Sequence, residues 1–291
     1  MRIDAAIKHG TDELNRTSDS ARLDTEILLA YCLGKQRNYL YTWPEKTLSP
    51  QQFSSYNTVL LKRSEDYPIA YIVGYQEFWS LKLKVTPDVL IPRADTELLV
   101  ETALEKLTDV SKPKILELGT GSGAIALALA TERPEAEITA TDLSEAALKI
   151  AKENGQTLKT SNIHFIRSDW FVDVPVESYD LIVSNPPYIP PSDTHLQDSI
   201  RYEPLAALVS EDHGLSDLMH IASNAPNYLN PEGWLILEHG YDQGEAVSRL
   251  LKKAAYQQIS CLADLSGNDR INLGLKPNQS NSNILWQSLL S

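Results

Sequence analysis

The 291-residue sequence predicts an α/β protein, a doubly wound and mainly parallel sheet preceded by a smaller helical domain. Three observations predict it. From Lys114 onward, short apolar strand segments alternate with helical ones, which is the pattern of a sheet wound through parallel crossovers. Before that, Leu23, Ile27, Leu28 and Tyr31 recur at helical spacing. The charge divides in the same place, with 11 basic and 10 acidic residues over 1–85 against 15 and 29 over 86–291.

Taken in order, the helix around Leu23–Tyr31 follows Asp and Ser capping candidates and stops at Gly34. A second helix is predicted over 49–64. Between 71 and 91 the composition turns to Tyr, Val, Phe and Trp with the alternation LKLKV, a β-type signal read as a hairpin linker. The alternating part then runs KILELG, a helix from Ala124, EITATD, a helix from Ser144, IHFIRSD, YDLIVSNPP, a helix from Gly214, GWLILEHG and a helix from Gln243. Its apolar runs suit strands covered on both faces. ISCLADL and RINLGLK are expected to pair as an antiparallel edge, and the polar tail PNQSNSNILWQSLLS to be loosely attached. The two cysteines, Cys32 and Cys261, are isolated from each other, and no metal-ligand spacing is present. A charged N-terminus and the lack of any stretch of about 18 apolar residues predict a cytoplasmic protein away from membranes.

Two motifs carry the chemistry. KILELG runs directly into Gly119, Thr120, Gly121, Ser122 and Gly123 and then a helix former, so glycine lets a ligand approach the backbone at a helix N-terminus. Asp142 ends the next strand, where a carboxylate can accept hydrogen bonds from two ribose hydroxyls. The same spacing satisfies the dinucleotide fingerprint G-x-G-x-x-G/A. Glu117, two residues before the first glycine, places an acid beside the position a pyrophosphate would need and favours the cationic amino acid part of S-adenosylmethionine. Asp169 and Trp170, after the third strand of this part, offer a hydrogen bond and an aromatic face to an adenine.

The fourth strand ends in Asn185, Pro186, Pro187 and Tyr188, on the ligand side of an open sheet. The prolines fix the backbone and remove two donors, Asn185 supplies a side-chain oxygen, and Tyr188 a ring. A rigid pair of acceptors beside an aromatic face suits a planar NH2 group. No His, Glu or Cys is placed as an evident general base; Glu238 and His239, at a strand end, read as architectural, and the proton is expected to leave to water.

ELGTGSG, Asp142, SDW and SNPPY together resemble the amino-group branch of S-adenosylmethionine-dependent methyltransferases. Leu90-Ile91-Pro92-Arg93 with Thr96-Glu97, GYQEFWS, Tyr202-Glu203-Pro204, Glu238-His239-Gly240 and Gly267-Asn268-Asp269-Arg270 narrow this to the bacterial release factor glutamine methyltransferases. The chain departs from that pattern at Ala94, where a proline is usual, and in its added tail. The resemblance implies a helical substrate-recognition domain (1–70), a β-hairpin linker (71–91), a seven-stranded methyltransferase domain (92–276) and a tail (277–291). It also implies transfer of a methyl group to the side-chain amide nitrogen of the glutamine in the Gly-Gly-Gln motif of class 1 peptide chain release factors. By the family's pattern Gly119 to Gly123, Asp142, Trp170 and Asn185 contact the cofactor, and Asn185 to Tyr188 receive the glutamine. Two competing readings share the chemistry, a glutamine methyltransferase of a ribosomal protein and a DNA adenine methyltransferase. Duplex DNA requires a basic footprint, which the acidic second part lacks.

Overall fold

The computed structural model describes residues 1–278, so all but the first two residues of the expected tail lie outside the described residues. The chain forms two compact units, one of residues 1–75 and 194–202 and another of 76–193 with 203 onward.

The first unit is helical: α1 (Ile3–Leu14), α2 (Ala21–Leu33), α3 (Asn38–Thr42), α4 (Pro50–Ser64) and α5 (Ile69–Val73). α2 ends where Gly34 takes the left-handed conformation. α4 begins with a capping box, the Ser49 hydroxyl accepting from Gln52 N–H while the Gln52 side chain accepts from Ser49 N–H. α2 carries two acids inward, Asp24 and Glu26, and each is held by arginine: Arg63 at 2.8 Å, and Arg22 and Arg37 at 3.1 and 2.9 Å. Residues 194–202 belong to this unit because the Tyr202 hydroxyl and the Arg201 guanidinium both donate to Glu65 O, at 2.9 Å each.

A hairpin follows, β1 (Tyr75–Phe78), all but the first residue of which belongs to the second unit, and β2 (Leu81–Lys84), then α6 (Glu97–Lys106). The hairpin is shorter than the sequence predicts. Ile69–Val73 is helical despite its β-type composition, and 85–91 is outside any strand. Strands β3 (Lys114–Leu118), β4 (Glu137–Asp142), β5 (Ile163–Arg167), β6 (Tyr179–Ser184) and β7 (Leu229–Glu238) alternate with α7 (Ala124–Glu132), α8 (Glu145–Leu158), the short α9 (Glu211–Gly214) and α10 (Ser216–Asn224). They end with α11 (Gly244–Lys253), β8 (Gln257–Ala263) and β9 (Asp269–Leu275). The seven strands lie in the order β5-β4-β3-β6-β7-β9-β8, all parallel except β9, which runs antiparallel to both its neighbours. This is the doubly wound, mainly parallel sheet the sequence predicts.

Along β3, Ile115 packs on the face covered by α6 and α7, while Leu116 and Leu118 pack on the face covered by α10 and α11. Both faces are therefore dry, which explains why the strands read as apolar runs. The winding reverses between β3, whose successor β4 lies on one side, and β6 on the other. Such a switch point opens a crevice beyond the strand ends. Both sequence motifs leave the sheet there.

Candidate active site

The turn after β3 holds Gly119, Gly121 and Gly123 at φ of +74°, +55° and +85°. At Gly123 a Cβ would also stand 3.0 Å from Leu127 Cδ1 and 3.2 Å from Ala151 Cβ, so glycine is required for α7 to start against α8. Thr120 N–H donates to Thr141 O at 2.8 Å and ties the turn to β4. Asp142, at the end of β4, accepts from Gly121 N–H and Ser144 N–H, both at 2.8 Å, and so fixes the turn from the neighbouring strand. Burial pushes its carboxyl above the ordinary aspartate range.

Glu117 sits beneath this turn. It is 1% exposed and does not line the cavity. Its carboxylate accepts from the Thr120 hydroxyl at 2.6 Å and from Ala126 N–H at 3.1 Å, one of the otherwise unpaired donors in the first turn of α7. Burial pushes its carboxyl up to about 7. Its position makes it a support for the turn and the helix start.

A cavity of about 370 Å³ opens beyond these strands, within the size range of small-molecule sites. It is lined by Gly119, Gly121, Asp142, Asp169, Trp170, Asn185 and Pro187. Thr120, Ser122, Gly123, Pro186 and Tyr188 are absent from the lining. Trp170 has φ +47°, a conformation costing about 1–2 kcal/mol for a residue with a Cβ. The Ser168 hydroxyl holds that turn by donating to Trp170 O at 2.8 Å. Leu90 and Pro204 form an apolar wall that sequence reasoning missed. The wall is fastened by Glu203, 7% exposed, which accepts from Ile91 N–H at 2.9 Å and pairs with Arg93.

At the end of β6 the Ser184 hydroxyl donates to Leu118 O at 2.7 Å, fixing where the next residues emerge. Asn185 Nδ2 donates to Thr96 Oγ1 at 3.3 Å, which leaves its Oδ1 as an acceptor. The Tyr188 hydroxyl faces Glu238 Oε1 at 3.5 Å, and burial raises its pKa. The Tyr188 carbonyl accepts from Gln243 Nε2 at 3.0 Å, and Gln243 Oε1 accepts from Gly240 N–H at 2.8 Å. Gly214, at φ +80°, permits this: a Cβ there would stand 2.0 Å from Tyr188 O. Gly214→Ala should destabilise the protein by at least about 2 kcal/mol, from left-handed strain and overpacking together. Gly267→Ala, also at positive φ (+84°) but with nothing within 4 Å, should carry the strain alone. Urea unfolding of the two variants checks this, and equal losses would contradict it.

A family model described as the methyltransferase small domain matches residues 94–201, and one described as the PrmC N-terminal domain matches residues 5–74. Among solved structures, the chain is similar to a methyltransferase from Pyrococcus furiosus, with 19% identity, 68% of this chain and 90% of that chain covered, and a TM-score of 0.50. It is also similar to the Thermus thermophilus 16S rRNA N2 G1207 methyltransferase, with 18% identity, 69% and 49% covered, and a TM-score of 0.52. At that identity the likeness defines the fold, that of a methyltransferase. Sequence relatives are much nearer. The release factor glutamine methyltransferase of Shewanella oneidensis is 47% identical over 94% of this chain and 95% of its own. That of Pseudomonas aeruginosa is 50% identical over 88% and 93%, and that of Escherichia coli 45% identical over 89% and 94%. The chain belongs to the release factor glutamine methyltransferase family.

Proposed function

We propose that the chain methylates the side-chain amide nitrogen of the glutamine in the Gly-Gly-Gln motif of class 1 release factors, using S-adenosylmethionine. The observation that carries the reading is Asn185. With its NH2 donated to Thr96, its oxygen stands as an acceptor at the rim of a cavity floored by the glycine turn. The cavity suits the methyl donor chemically: Asp142 offers carboxylate oxygens to hydroxyls, Trp170 a ring, and Leu90 and Pro204 an apolar wall. The donor supplies an electrophilic methyl on a sulfonium.

An amide nitrogen is a poor nucleophile, since its lone pair takes part in the resonance behind the ~18–20 kcal/mol rotation barrier of peptide amides. Asn185 Oδ1 and the Pro186 carbonyl accept the two NH2 protons and hold the nitrogen with its lone pair free. Two prolines in succession make that acceptor pair rigid, so little reorganisation is needed at the moment of reaction. Tyr188, outside the cavity lining, would present its ring to an amide held beside Asn185 and favour cationic character there. The helical residues 1–70 act as the recognition domain, near-neutral where the remainder is acidic.

Incubation with labelled S-adenosylmethionine and a purified class 1 release factor tests the proposal. Label is expected on the factor, and none on its Gly-Gly-Gln variant with Gln→Ala or on duplex DNA. Label on that variant or on DNA would overturn the assignment.

A further inference from the structure

An asparagine side chain can serve an incoming NH2 only if its oxygen faces it. The NPPY backbone does not decide this, because the amide can turn over in place with similar shape. The decision falls to Thr96, whose hydroxyl carries one hydrogen and two lone pairs. If that hydrogen is given away, Thr96 can accept from Asn185 Nδ2; if it is given to Asn185, the amide must present its oxygen to Thr96 and its NH2 outward.

Glu238 stands behind this choice. It ends β7 and is 2% exposed. The Tyr188 hydroxyl faces its carboxyl at 3.5 Å; Thr96 lies near enough to favour the charged form, and Arg270 from β9 and Asp95 from the turn before α6 act on it with opposite charge. Arg270 is already shared between Asp95 at 3.3 Å and Asp264 at 2.9 Å. Tyr188 faces Oε1, while the buried Oε2 has no hydrogen-bond partner among the described residues; the Thr96 hydroxyl, which accepts from Asn185, does not meet it with hydrogen-bonding geometry in this structure, and Oε2 is the carboxylate oxygen still open to accept from it.

We propose that Glu238 and Thr96 are positioning residues that set the orientation of the Asn185 amide, with Glu238 taking the Thr96 hydrogen so that Asn185 Oδ1 faces the substrate. The inference rests on the function proposed above. An ionised carboxylate only accepts, which gives the chain the direction Asn185 N–H to Thr96 O–H to Glu238. A protonated Glu238 donates to Thr96, whose own hydrogen then goes to Asn185 Oδ1, and the reversed amide sets NH2 against NH2. Burial pushes the Glu238 carboxyl up to about 7, which puts the reversal in the neutral range. Turnover therefore rises with pH across it. Tyr188 lies on the same carboxyl, so its ring is held by the same group.

Two measurements on the full chain test this. In the first, which needs no substrate, the side-chain amide resonances of Asn185 are followed by NMR from pH 5.5 to 8.5, about 1.5 units either side of that carboxyl value. They should titrate in the wild type and stay flat in Glu238→Gln. A flat wild type, or a titration that persists in Glu238→Gln, overturns the inference whatever the protein methylates. The second follows methyl transfer to the release factor. Glu238→Gln and Thr96→Val should each lower kcat about tenfold and lose the rise with pH, with S-adenosylmethionine affinity and the unfolding temperature unchanged. Thr96→Ser should restore both rate and pH dependence. A wild-type pH profile in Thr96→Val would contradict the relay. Absence of label with the wild type would instead strike the proposed function and leave the NMR result to judge the inference.

Discussion

Asn185→Ala is expected to lower turnover by about 10²- to 10³-fold, the usual consequence of removing one preorganised polar contact to a transition state. The Pro186 carbonyl alone cannot hold both protons of an NH2 group, so the nitrogen regains freedom to rotate and to delocalise its lone pair. Affinity for S-adenosylmethionine should change far less, because the glycine turn, Asp142 and Trp170 stay as they are. The expected split is a fall in kcat with a small change in cofactor binding, measured by steady-state kinetics and calorimetric titration. Equal losses in both would mean that Asn185 holds the cofactor alone. Tyr188→Phe should be mild, since the ring remains, and Tyr188→Ala severe.

Asp142→Ala should weaken S-adenosylmethionine binding by about 1.5–3 kcal/mol, the range for a hydrogen bond to a charged group. That is roughly ten- to hundredfold in affinity. The same change removes the acceptor for Gly121 N–H and Ser144 N–H, so the turn loosens along with the lost contact. Asp142→Asn keeps one acceptor oxygen and should retain more of the turn and of the affinity. Calorimetry on the two variants checks the order. Affinity for NAD without affinity for S-adenosylmethionine, in the wild type, would contradict the reading of this cavity.

Much of the site was legible because its chemistry is local. A glycine run between a strand and a helix, an acid at the next strand end and two prolines after a third strand each declare their geometry within a few residues. Parallel winding then brings them to one edge of the sheet. What the sequence concealed depends on distant partners. Glu117 shows why: both faces of β3 are buried, so its neighbours Leu116 and Leu118 are as apolar as Ile115, and no alternation tells which way the acid turns. Only the packing of α7 shows that it turns away from the cavity, beneath the turn. Thr96, Glu238 and Gln243 are ordinary polar residues until residues 89, 50 and 55 positions away meet them.

The helices follow the same rule. α2 and α4 announce themselves by a glycine stop and a capping box. α1 went unread because its inward face uses small residues, Ala6 and Gly10, between Ile3 and Leu14. A Cβ on Gly10 would stand 2.1 Å from Tyr56 Oη, so that face is shaped by a ring 46 residues further on, whose hydroxyl donates to Ala6 O at 3.0 Å. α5 reverses a β-type composition, and the left-handed Gly74 that ends it marks where the hairpin can begin.

The central claim is that the methyl group arrives on one glutamine nitrogen. Tandem mass spectrometry of the release factor after reaction with the protein and S-adenosylmethionine tests it most directly. The account predicts a single added methyl group on the side chain of the glutamine in the Gly-Gly-Gln peptide, formed by the wild type and nearly lost with Asn185→Ala. A methyl group on any other residue of that factor, or on that glutamine at an undiminished rate with Asn185→Ala, would contradict it.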